Sequence, residues 1–344
     1  MIDHLSIARL PIKIIAQRDK VTIFQTAAFS DSENDGENHG ADSTLLQQQQ
    51  RCQPAHTSYG QLNLGLHVND DAAQVLDNRM RVLAAINQQL AAPSLTASST
   101  LSRSSIKCLH WVNQVHGTQI YDVDKTVTST SMRPVDADAM VSAQVGLGLA
   151  IMTADCVPVV LYQPATGQIA AIHAGWQGLA QGVIKATAER FDSSMPIMAW
   201  IGVCISQANY EVSSPVYEQL LAGCIASQSL TGANIDHFKQ RYATFEECIE
   251  PEGHVEAEHL HQSLDKSSNM ATLSPYASSA TDKVRLNLPK LASDQLLAAG
   301  ITIHTDLPLA CSYADTRYYS YRRQTHLQQR ATGRMALIIV RHTL

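Results

Sequence analysis

The sequence predicts an α+β fold with mixed strand connectivity, and three local patterns carry that expectation. Two apolar runs, "VPVVLYQ" and "QIAAIHA", are separated only by "PATG", which reads as a β-hairpin. The apolar run "VGLGLAIMT" precedes them and suits a buried strand. "GLAQGVIKATAERF" follows, with Leu179, Val183, Ala186 and Phe191 on one helical face. A hairpin beside strand-to-helix passages implies mixed rather than purely parallel pairing.

Earlier in the chain, "DDAAQVLDNRMRVLAAINQQL" places Val75, Leu76, Met80, Leu83 and Ile86 at amphipathic-helix spacing, with Asn69 or Asp70 as the expected cap. Near the end, "MALIIV" is a final buried strand. Three stretches, at 30–60, 91–105 and 246–282, are polar, Ser-rich or acidic, and include a four-Gln run. They bury too little apolar surface to offset their ordering entropy and read as surface insertions. The rest is of a size for one compact domain over residues 1–344.

Composition narrows the function classes. A net charge of -6 gives no electrostatic reason to expect nucleic acid. No run of about 18 uncharged apolar residues occurs, so no membrane span is expected. The first twenty residues lack the unbroken apolar core of a secretory signal, so a cytoplasmic location is expected. The seven cysteines are scattered, without a CxxC pair, and read as reduced thiols.

The hairpin places chemistry. A turn centred on Ala165 and Thr166 sets His173 opposite Pro158 and Cys156 opposite Gly175. A thiol and an imidazole then share the open end of the hairpin. The helix expected to begin near Trp176 would point its N–H groups at the same place, which favours an anion. A Cys–His pair of this kind is a nucleophile and its base, two ligands of a metal that needs a third, or a buried thiol beside a core histidine.

The segments "TADCVPV" and "HAGWQGL" resemble those of the YfiH / laccase-domain proteins, also called the multicopper polyphenol oxidase family. Further matching stretches follow the same order: "LNLGLHVNDD", "NR" at Asn78–Arg79, "QVHG", "DADAMVS", "YEV", "YYSYRR" and "TGRMA". The resemblance implies an α+β domain whose mixed sheets form a sandwich-like core flanked by helices. It implies a zinc-dependent purine nucleoside phosphorylase acting on adenosine, inosine, guanosine and methylthioadenosine with phosphate, with adenosine deaminase activity besides. The family's metal ligands carry over to His116, Cys156 and His173. Two His and one Cys leave a fourth position open, as in catalytic zinc sites.

Other residues in the matching stretches become candidates. Asp155 adjoins Cys156 as a proton carrier or a support for the ligands. His67 and Asn63 lie in the "LNLGLH" segment and are expected to line the site. Among the C-terminal arginines, Arg322 and Arg323 of the "YYSYRR" motif are the expected phosphate contacts. The chain departs from the family's pattern in "QTAAFS" (Gln25–Ser30), "GVCIS" (Gly202–Ser206), Gln324 and Asn287. A copper polyphenol oxidase is the rival enzyme, and a non-catalytic metal-binding homologue the third reading. The oxidase needs several His-x-His pairs, and this chain has one, His259 to His261, in an insertion. Copper remains an opportunistic occupant of a His2Cys site.

Overall fold

The computed structural model describes residues 10–30, 59–92, 105–125, 134–245, 283–305 and 308–343. The three expected insertions, with His259 and His261, lie outside the described residues except at their edges.

Two mixed sheets make the core. The first is five-stranded and comprises β1 (Ile12–Arg18), β2 (Val21–Thr26), β3 (Cys108–His110), β6 (Leu147–Thr153) and β14 (Met335–Arg341), in the order β1-β2-β14-β6-β3. The second is six-stranded and comprises β4 (Ile120–Asp122), β5 (Ala139–Ser142), β7 (Val157–Gln163), β8 (Gln168–Ala174), β9 (Met198–Ile201) and β13 (Thr302–Ile303), in the order β13-β9-β7-β8-β5-β4. A small antiparallel sheet of β10 (Glu211–Ser213), β11 (Ala243–Phe245) and β12 (Lys283–Leu286) stands apart from them.

The strand pleat explains how the layers stack. Along β6, Leu147, Leu149 and Ile151 point towards Val160, Tyr162, Ile169 and Ala171 of the second sheet, filling the space between the sheets. The alternate residues Ala150 and Met152 point the other way, with Phe24, Ile338 and Val340, onto the helix α1 (Ala72–Ala91). The far face of the second sheet, through Val159, Leu161, Ala170 and Ile172, meets α2 (Trp176–Ala180), α3 (Val183–Ala188), α4 (Ser214–Ser227) and α7 (Leu288–Ala298). Short helices α5 (Gly232–Asp236) and α6 (Phe238–Tyr242) precede β11, and α8 (Tyr321–His326) precedes β14. With both faces covered, β6 and β7 are buried at every position, which is why their sequences are unbroken apolar runs.

The hairpin has the register expected from its turn: Pro158 pairs with His173, Val157 with Ala174 and Gln163 with Gln168. Gly167, at φ +70°, closes the turn, and its N–H donates to the Gln163 carbonyl at 2.8 Å. Three helix expectations are corrected. The cap of α1 is Asp71, whose side chain accepts from the Ala73 N–H at 2.9 Å; Asp70 instead accepts from Asn63. The buried stripe of α1 is Val75, Asn78, Val82, Ile86 and Leu90, whereas Leu76 is 51% and Met80 70% exposed. Counting apolar residues alone rotated the stripe, because Asn78 occupies a buried position and donates to the Asn63 carbonyl. The helix after the hairpin is broken in two at Gly182, which adopts φ +78°.

No helix among the described residues is long and apolar enough to cross a membrane. The five described cysteines are free thiols.

The α1 stripe makes a stability prediction. Ile86→Ala should cost about 2–5 kcal/mol in chemical denaturation, and Met80→Ala within about 0.5 kcal/mol. Similar costs for the two would mean that α1 docks on a different face.

Candidate metal centre

The centre forms where the two hairpin strands open. His173 is the next-to-last residue of β8, and Cys156 immediately precedes β7. His116 reaches them from the loop between β3 and β4. The ligand atoms of His116, Cys156 and His173 all lie within 4.8 Å of one another. Cys156 Sγ stands 4.0 Å from His116 Nε2, and the two imidazoles meet edge to face at 4.7 Å between centroids. Four-coordinate zinc with bonds of about 2.0–2.3 Å spaces its donors by somewhat under 4 Å, so small side-chain movements complete the fit. Gly175 leaves the room this needs: a Cβ there would lie 3.1 Å from the His116 ring and 3.2 Å from Cys156 Sγ.

Charge in the cluster is matched. Burial opposes ionisation of the Cys156 thiol, but the neighbouring His173 and His116 outweigh it and bring its pKa down. Burial likewise works against protonation of His173, and the Cys156 thiolate and Asp138 carboxylate more than reverse it.

Asp138 is the residue that the sequence reading missed. It is fully buried at the entrance to β5. One carboxylate oxygen accepts from His173 Nδ1 at 2.8 Å and from the His116 N–H at 2.9 Å; the other accepts from the Gly117 N–H at 2.6 Å. A carboxylate only accepts, so His173 keeps a proton on Nδ1, and Nε2 is the nitrogen left to bind a metal. Burial raises the Asp138 pKa, but the His173 and backbone N–H bonds prevail, and the net shift is downward. Its signal in the sequence was the acid of "DADAMVS" standing directly before a buried strand.

Two residues of the centre have strained backbones: His116 at φ +61° and Asp155 at φ +115°. Such conformations cost on the order of 1–3 kcal/mol each and persist where surroundings over-determine them. For His116 the restraint is Asp138. For Asp155 it is a pair of bonds, from Ser312 Oγ at 2.7 Å and the Arg322 N–H at 2.7 Å. Both Asp155 oxygens are thus turned towards α8, and burial raises its pKa. Asp155 holds the loop that presents Cys156.

The remaining candidates separate. His67 is solvent-accessible; partial burial of its ring, and then the charges of Arg334, Arg79, His173 and His116, push its pKa down to about 4. Asn63 is buried and its amide is consumed internally: Oδ1 accepts from the Gly65 and Arg334 N–H groups, and Nδ2 donates to Asp70. Arg323 donates to the carbonyls of Ser312 and Tyr313, both at 2.7 Å, and of Tyr318, which makes it a clamp on the loop before α8. Arg322 donates to the Glu211 carbonyl and lies over the Tyr210 ring, 5.4 Å from its centroid. The departures from the family's pattern have structural work: Gln25 accepts from the Val203 N–H and donates to the Ala336 carbonyl, and Asn287 caps α7.

A two-sheet α+β sandwich with a His2Cys cluster at the mouth of a hairpin is the class that fold and site define. The chain belongs to the multi-copper polyphenol oxidoreductase laccase family, whose model matches residues 48–244 and 239–342. It is 28% identical over 284 residues to a purine nucleoside phosphorylase of Pseudomonas aeruginosa, covering 82% of this chain and 86% of that protein. With the purine nucleoside phosphorylase YfiH of Shigella flexneri it is 36% identical over 165 residues, 48% of this chain and 59% of the relative's length. A crystal structure of a Neisseria meningitidis protein of family DUF152 has the same fold, with a TM-score of 0.59 at 24% identity over 96% of this chain and 99% of that one.

Asp138→Asn should weaken zinc binding about 10- to 100-fold in a chelator competition, because an amide N–H opposed to the His173 Nδ1–H disfavours the required tautomer. Unchanged affinity in a folded variant would mean that Asp138 supports the fold alone.

Proposed function

We propose that this protein is a metal-dependent purine nucleoside phosphorylase, with zinc held by His116, Cys156 and His173. The observation that carries the proposal is the His2Cys cluster, in a chain related to proteins named purine nucleoside phosphorylases. Two imidazoles and one thiolate suit zinc, and copper would accept the same donors. The oxidase reading needs several coppers, and among the described residues one three-donor cluster of His, Cys, Asp and Glu forms.

In phosphorolysis a phosphate oxygen bonds to C1′ of the sugar as the C1′–N9 bond breaks. The electron pair of that bond leaves with the purine, which takes up a proton. Bound zinc would supply a Lewis acid at the purine and, for adenosine, activate a water for deamination at C6. The chain's own residues do the rest. Asp138 fixes His116 and His173 so that their metal-facing nitrogens need little reorganisation. Asp155 holds the Cys156 turn against α8. His67, neutral near pH 7, offers a hydrogen bond at the mouth without adding charge. Arg322 and the Tyr210 ring form a stacked wall on the α8 side. The substrates on this reading are adenosine, inosine, guanosine and methylthioadenosine.

Purified zinc-loaded protein should convert inosine to hypoxanthine only when phosphate is present, and should convert adenosine to inosine without it. Cys156→Ser should lose zinc and more than about tenfold of both turnovers, because a neutral hydroxyl replaces a thiolate. Phosphate-independent nucleoside cleavage, or full activity of a zinc-free Cys156→Ser, would overturn the reading.

A further inference from the structure

The proposed reaction needs a seat for phosphate, and the inference that follows rests on that reading. The arginines of the "YYSYRR" motif are engaged elsewhere: Arg323 clamps carbonyls, and Arg322 is tied to Glu211 and Tyr210. Two other arginines, remote from each other in sequence, both anchor on the Asn63–Gly65 segment. Arg79 lies on α1, where Nε and Nη2 donate to the Leu64 carbonyl at 3.0 and 2.8 Å, Nη2 touches Met152 Sδ at 3.5 Å, and the guanidinium stacks 4.3 Å from the Trp111 centroid. Arg334 immediately precedes β14, whose first residue pairs with Thr153, three residues before Cys156. Its backbone N–H donates to Asn63 and its Nη1 to the carbonyls of Thr332 and Gly333. Its stem lies on Gly65, where a Cβ would stand 2.7 Å from the Arg334 Cγ.

His67 lies within the electrostatic reach of Arg79 and Arg334 and of His116 and His173. Arg334 in turn is close enough to Cys156 and Asp155 for their negative charges to favour its own. Yet neither guanidinium forms an ion pair with a carboxylate among the described residues. Both side chains are half-buried, and loss of water lowers the pKa of each, Arg79 to about 10. Two partly desolvated cations that no carboxylate pairs directly oppose folding. An anion between them offsets that cost, and a phosphate dianion matches a guanidinium fork better than any single-atom anion does.

We propose that Arg79 and Arg334 form the oxyanion site of this centre and hold the phosphate co-substrate beside His67. Three segments that a sequence motif does not connect supply it: the loop before α1, α1 itself and the start of β14.

The test is thermal unfolding of the zinc-loaded full chain titrated with inorganic phosphate, without nucleoside. Phosphate should raise the wild-type melting temperature. In Arg334→Gln the phosphate concentration that gives half the shift should rise on the order of tenfold or more, as for loss of a charged hydrogen bond, with bound zinc unchanged. Arg334→Lys, which keeps the charge but not the fork, should fall between the two and decides the matter if the Gln variant does not fold. The same midpoint in wild type, Arg334→Gln and Arg79→Gln, absence of any shift in wild type, or loss of the shift only in Arg323→Ala would overturn the proposal. A wild type that binds phosphate at Arg334 but cleaves no purine nucleoside would overturn the phosphorylase reading and leave the oxyanion site standing.

Discussion

The Asp138 carboxylate is the constraint on which the centre depends. It is buried where β5 begins, and it joins the loop of His116 and Gly117 to the end of β8 at His173. A carboxylate in such a place is costly unless every oxygen is satisfied, and here backbone N–H groups and an imidazole satisfy both. The interaction does three things together. It holds His116 in a left-handed conformation, sets the tautomer of His173, and aims both rings at Cys156. Remove it, and two of the three donors lose their fixed direction although both sheets still pack.

The fold supplies the third donor through register. Antiparallel pairing in the β7–β8 hairpin puts Pro158 beside His173 and leaves Cys156 at the open end. The two faces of these strands pack against different layers, so a slip of one residue would swap every side chain between the inter-sheet core and the helix layer. Across the sandwich, β14 and β6 bring Arg334 and Thr153 to the same end. The site therefore lies where the ends of both sheets meet.

Much of this was legible in the sequence. The hairpin, its register, and strands β6 and β14 follow from apolar runs bounded by turn residues. The triad is a different matter: spacing alone brought Cys156 and His173 together, and only the resemblance to a family supplied His116. What escaped had physical reasons. The stripe of α1 was rotated because a buried Asn78 replaces an apolar residue there. The single helix after the hairpin became two because Gly182 takes a left-handed conformation that periodicity does not register. Where the Arg323 guanidinium points was not legible either, because motif position does not fix it; its donors go to carbonyls. Asp138 and the Arg79–Arg334 pair depend on contacts between distant segments, which one sequence does not display.

Zinc K-edge X-ray absorption on the metal-loaded protein tests the central claim most directly. The account predicts one sulfur near 2.3 Å and two imidazole nitrogens near 2.0–2.1 Å, with a lighter donor completing four-coordination. A shell without sulfur, or one made only of oxygen, would contradict it.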